Sequence, residues 1–153
     1  MSQTTLKHSK QEINAPFRVK SAGISLIVTL IIGMYYFANA VPLLGSEQVI
    51  PDGMVGLIIT TIILSIVVAA TLQITLFVGA GQIEDETQQY RVVSAKSNRN
   101  AHGVLSAGVI VTVGSSIVVG LNPFQMINVL LFAFLLSEVV QYASQLVYYR
   151  HNA

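Results

Sequence analysis

Four stretches of this chain carry no charge, or a single one: residues 22–41, 54–79, 103–121 and 124–147. Each is about as long as a helix rising 1.5 Å per residue needs to cross roughly 30 Å of hydrocarbon, and together they take up more than half of the sequence. Hydrocarbon offers no hydrogen bonds to a backbone, so such a run must pair its own N–H and C=O groups and become helical, even where Val, Ile and Thr would favour strands in water. A transmembrane barrel would instead show apolar and polar residues alternating over segments of about ten, and these runs do not alternate. The pattern predicts an all-α polytopic membrane protein of four transmembrane helices, arranged as two antiparallel hairpins.

Composition agrees with that reading. Charged residues make up 10% of the chain, against about a quarter in ordinary soluble domains. A net charge of +1 argues against a nucleic-acid partner, and the absence of Cys excludes disulfides, thiolate metal sites and cysteine catalysis. The expected partner is the lipid bilayer itself, with a second copy or another membrane protein beside it.

The basic residues orient the spans. Lys7, Lys10, Arg18 and Lys20 precede the first span, Arg91, Lys96 and Arg99 lie between the second and third, and Arg150 follows the fourth. No Lys or Arg falls in residues 42–53 or in the Asn122-Pro123 turn. Cytoplasmic loops carry the Lys/Arg excess, so both termini are expected in the cytoplasm. Ala38-Asn39-Ala40 matches a signal-peptidase site in form, but the apolar run before it is about 20 residues, longer than the usual 7–15, so the first span is expected to be retained.

Residues 1–20 read as a polar, mobile tail that ends in an interfacial turn, with Pro16 opening the first helix. Residues 21–153 form the membrane domain. The connection between Pro42 and Pro51, with Glu47 and Asp52, reads as a short structured loop, and Asn122-Pro123 as a tight turn. In the cytoplasmic loop, residues 81–101, the acidic Glu84, Asp85 and Glu86 come before the basic Arg91, Lys96 and Arg99. That order complements a helix dipole and fits a short interfacial helix running into span three. Solvated loop charges are the simpler expectation.

Glu138 is the only Asp, Glu, Lys, Arg or His inside the four stretches. It lies about 18 Å of helix from Arg150, beyond the reach of that cation, and a charge at such depth costs roughly 3 kcal/mol on insertion scales. Gln141, Tyr142, Gln145 and Tyr149 share its helical stripe, which is expected to face protein or water, and Gln73 of span two is at a compatible depth. This intramembrane set has two readings, a proton or ion site and an interhelical hydrogen-bond cluster. The cluster is the plainer reading, because no second acid or base accompanies Glu138.

Small residues recur every four positions at Ser21, Ser25, Thr29 and Gly33 in span one, and at Gly108, Thr112, Ser116 and Gly120 in span three. Such faces let helices approach closely, within a chain or between chains. Tyr35-Tyr36 and Tyr148-Tyr149 are expected in the two interfacial aromatic belts. Catalytic patterns are missing. Ser115 lies about 20 Å of helix from His102, Asp52 and Asp85 fall on opposite sides of the membrane, and the three histidines are widely spaced. The expectation is a non-enzyme with no cofactor and no metal.

Lys96-Ser97-Asn98-Arg99-Asn100, Val104-Leu105, Ile127 to Leu131, Ser137 to Tyr142 and Gln145 to Arg150 resemble a family of small bacterial membrane proteins known as domain of unknown function 2178. The resemblance spans about residues 84–151. It implies a bacterial cytoplasmic membrane, four spans, and a Glu in the last of them, without an activity. Three functions are open at this stage: a non-catalytic module that self-associates or joins a membrane partner, a small proton-coupled transporter or ion pathway using Glu138, and a regulatory or immunity protein acting through its cytoplasmic loop. The second resembles the small multidrug transporters in span number and single membrane Glu, although those carry the acid in their first helix.

The topology is checked with single cysteines in this Cys-free chain. A membrane-impermeant maleimide is expected to label Asp52→Cys in intact spheroplasts, and Ser9→Cys or Asn152→Cys only after permeabilisation.

Overall fold

A computed structural model describes the backbone of residues 2–45, 50–79 and 88–151, and within these the side chains except those of 2–18, 72, 73, 75–79, 88–91 and 151. Four α-helices account for nearly all of it: α1 (Ser2–Ala40), α2 (Met54–Gly79), α3 (Gln88–Val119) and α4 (Pro123–His151), with a 3-10 turn at Val41–Leu43. There is no strand among the described residues. All four helices contain a segment long and apolar enough to cross a membrane: Val19–Leu43, Met54–Thr71, Val92–Val119 and Pro123–Arg150.

Two helices run further than their apolar stretches. α1 is helical from Ser2, where the polar composition predicts a mobile tail, and Pro16 therefore lies inside it rather than in its first turn. α3 is continuous from Gln88, so the basic half of the segment between spans two and three is helical and not an irregular loop. The reason is cooperativity: nucleation is the costly step, and a helix already held by the membrane extends into flanking residues one hydrogen bond at a time. Pro16 has no N–H to donate to the carbonyl of Glu12, a local gap that this extension tolerates.

The ends are set by local chemistry. α3 stops at Val119, and Gly120 takes a left-handed φ of 71°, donating its N–H to the Ser116 carbonyl at 3.2 Å. Gly120 is therefore a helix terminator and not the last member of the small-residue stripe. Asn122 then caps α4. Its Oδ1 accepts from the Gln125 N–H at 2.8 Å, and Gln125 Oε1 accepts in return from the Asn122 N–H at 3.1 Å. Pro123 fills the next position, where a missing N–H costs nothing. At the other connection, Gly53 takes φ 81° just before α2, and its carbonyl accepts the first α2 bond from Leu57 at 3.1 Å.

Packing runs in the order α2, α1, α4, α3. Among the described residues, α1 contacts α2 and α4, α4 contacts α1 and α3, and the backbones of α2 and α3 do not meet. Both small-residue faces are turned onto α4. A Cβ at Gly33 would stand 3.4 Å from Leu135 Cδ1, and one at Gly108 would fall on the Cβ of Ala133. Thr112 is fully buried, and Ser116 Oγ lies 3.3 Å from Met126 Sδ. These contacts are within one chain.

The apolar core sits at the end away from the basic residues, where Tyr36, Ala40, Met54 and Phe124 are buried against Phe37, Leu57 and Leu131. Tyr36 is thus enclosed in protein, whereas its neighbour Tyr35 is exposed. Its hydroxyl donates to Asn128 Oδ1 at 3.1 Å, and Asn128 Nδ2 donates to the Phe124 carbonyl at 2.8 Å. Elsewhere the surface is apolar, with Ile66, Ile110, Ile117 and Val118 among many exposed aliphatics. In water this would be an aggregation hazard; in lipid it is the solvated face.

The contact at Gly108 gives a direct test. Gly108→Ala is expected to destabilise the protein by about 1–3 kcal/mol in an unfolding titration in mixed micelles. Gly56→Ala, where a Cβ meets nothing within 4 Å, is expected to leave stability unchanged or raise it.

Candidate functional site

Glu138 projects from the middle of α4 toward α1 and α2. At that point the three helices leave a cavity of about 330 Å³, counting its open mouth. Its lining is mixed. Ile32, Val68, Ala69, Phe134 and Leu135 supply apolar walls, and Ser25, Thr29, Ser65, Glu138 and Tyr142 supply oxygen. The enclosed part has room for about one water molecule.

The polar groups stand side by side: Tyr142, one turn after Glu138 on α4, has its phenol beside the Glu138 carboxyl group and the Ser25 hydroxyl of α1. Ser65 of α2 donates to the Thr61 carbonyl at 2.9 Å. Among the described residues, no Lys, Arg, His or Asp lines the cavity.

Of the predicted intramembrane set, the structure brings Glu138 and Tyr142 together in the cavity. Gln141 and Gln145 are half-buried and outside its lining. The side chain of Gln73 lies outside the described residues, and α2 contributes Ser65, Val68 and Ala69 instead. Ser25 and Thr29, read from the sequence as packing residues, have a second role as cavity lining. Ser21 is buried beside them, without lining it. Ser65 was not legible in advance: a lone serine among aliphatics carries no signal of which way it turns.

A second polar cluster joins α3 to α4 near the end that carries the basic residues. Asn100 Nδ2 donates to Tyr148 Oη at 3.3 Å and to Ser144 Oγ at 3.4 Å, and Lys96 Nζ stands 5.9 Å from the centre of the Tyr148 ring. Lys96 and Arg99 are exposed. Glu84, Asp85 and Glu86 fall outside the described residues, as does the side chain of Arg91. Among the described residues, no group of three His, Cys, Asp or Glu is placed to hold a metal ion.

Comparison with protein-family models, with curated proteins and with solved structures finds no match to this chain.

If the Tyr142 hydroxyl links α1 to α4, Tyr142→Phe is expected to lower stability by about 0.6 kcal/mol and by no more than about 1.7 kcal/mol, the range of membrane hydrogen bonds, in the same mixed-micelle titration.

Proposed function

We propose that this chain is a small protein of a bacterial cytoplasmic membrane, with both termini in the cytoplasm, that works by assembly with a second copy or a membrane-protein partner and catalyses no reaction. In this reading the four helices act as two antiparallel hairpins joined along the seam of α1 and α4, and the resemblance to domain of unknown function 2178 is one of shared topology. The observation that carries it is the outer side of α3. One small-residue face of that helix is consumed by α4, but Gly103, Ala107 and Gly114 are exposed on another side, and a Cβ at either glycine would meet nothing within 4 Å. In lipid, small residues give helices a place to approach, because apolar contact with acyl chains is otherwise equally good. A helix with one such face used and another open supports association.

A second reading, an ion or proton pathway, is supported by one specific observation: Glu138 lines a cavity of mixed polar and apolar residues between α1, α2 and α4. In the reading in which the cytoplasmic loop, residues 81–101, recruits a partner, the acidic part at 81–87 lies outside the described residues and the basic part belongs to α3.

Assembly is tested by disulfide crosslinking in native membranes. Ala107→Cys is expected to give a covalent dimer, or an adduct with a partner, and Ala107→Leu to reduce the complex seen by native mass spectrometry. A lone monomer in nanodiscs, with no crosslink from Ala107→Cys, would overturn the proposal.

A further inference from the structure

At the end that carries the basic residues, α3 buries Val93, Ser97 and Ala101 against α4, its only neighbour among the described residues. Lys96 and Arg99 are exposed beside that seam. Three residues apart on one helix, they have their Cβ atoms within about 6 Å of each other. Lys96 reaches across the seam: its Nζ lies 5.9 Å from the centre of the Tyr148 ring on α4, a cation–π contact. Asn100 holds that ring in place, donating to both Tyr148 Oη and Ser144 Oγ. The seam thus presents a positioned ammonium next to an exposed guanidinium.

No acid answers these charges among the described side chains. The described carboxylates are those of Asp52, at the opposite end of the protein, and Glu138, midway along α4. Depth and chemistry then point to lipid. Arg99 and Lys96 precede the uncharged stretch 103–121 by about 6 and 10 Å of helix, and a headgroup layer reaches roughly 5–8 Å beyond the hydrocarbon. Arg99 lies within that layer and Lys96 at its outer edge. Further along the same face of α3, Ile110 and Ile117 are exposed and offer acyl chains an apolar surface. A guanidinium binds phosphate oxygens through two parallel hydrogen bonds, and an ammonium adds a point charge. A zwitterionic headgroup brings its own cation beside the phosphate, so two protein cations favour a headgroup of net negative charge.

We propose that Lys96 and Arg99, at the α3–α4 seam beside Tyr148, bind the headgroup of an anionic phospholipid. This goes beyond the assembly reading and does not depend on it, because every residue of the site comes from one chain.

The experiment releases the full chain for native mass spectrometry from nanodiscs holding equal amounts of phosphatidylglycerol and phosphatidylcholine, and identifies the lipids that stay on the monomer. Phosphatidylglycerol is expected to be retained at least about tenfold over phosphatidylcholine, given about fivefold for each cation near an anionic surface. Lys96→Gln or Arg99→Gln is expected to cut that preference about fivefold, and Lys96→Arg, which keeps the charge, to preserve most of it. Lys20→Gln is expected to leave it unchanged: Lys20 is also exposed, but it belongs to α1, whose backbone does not meet α3. Equal retention of the two lipids would overturn the site. So would the same loss in Lys20→Gln as in Arg99→Gln, which would assign the preference to a diffuse basic collar. Inorganic phosphate added before release is expected to displace no phosphatidylglycerol; displacement would assign the two cations to a soluble anion instead of a lipid.

Discussion

A polar side chain in hydrocarbon has no water to turn to, so it must find its partner on another helix or on its own backbone. That constraint organises the whole assembly. Tyr36 meets Asn128 near the end away from the basic residues, Tyr142 stands beside Glu138 and Ser25 midway along, and Asn100 meets Tyr148 and Ser144 near the basic end. Each link involves α4, which is why α4 is the shared neighbour of α1 and α3. Polar residues not used between helices bond backward instead: Thr112 to the Gly108 carbonyl at 2.7 Å, Ser137 to Phe134 at 2.8 Å, and Thr71 to Val67 at 2.7 Å.

Close packing makes those links possible. Without a hydrophobic driving force between helices, van der Waals contact must supply the attraction, and it falls off steeply with separation. Gly108 against Ala133 and Gly33 against Leu135 bring α3 and α1 near enough to α4 for short side chains such as Ser25 to reach across. Where α2 lacks an equivalent contact with α4, a gap is left, and the cavity around Glu138 is that gap. The site is thus a product of uneven packing as much as of its own residues. It faces α1 and α2 because the opposite side of α4 is filled by α3.

Much of the fold was legible in advance. The length of the uncharged runs gave four helices, and the bounds of α2 coincide with its apolar stretch. The Asn122-Pro123 turn declared itself through residue types that cap and start helices. The polar N-terminal extensions of α1 and α3 were not legible, because polar residues with ordinary helix propensity look alike in a tail and in a propagated helix. Tyr36 was misread for a related reason: a tyrosine near a span end fits the interface equally well whether it faces lipid or protein, and only the presence of Asn128 opposite decides which. Within the candidate site, Glu138 and Tyr142 were visible through their spacing of one turn, whereas Ser65 was hidden among aliphatics.

By itself, then, the sequence determined the medium and the secondary structure, because hydrocarbon permits only one solution for an isolated uncharged run of this length. It also determined that Glu138 could not face lipid, since nothing on its own helix could neutralise it there. Only the tertiary structure decided what Glu138 faces, which small residues pack and which stay open, and that Ser25, Thr29, Ser65 and Tyr142 line one cavity with Glu138. Those facts depend on how α1, α2 and α3 are rotated and offset around α4. Rotation is set by the sum of many weak contacts, each too small and too dependent on its neighbours to be read from residue order.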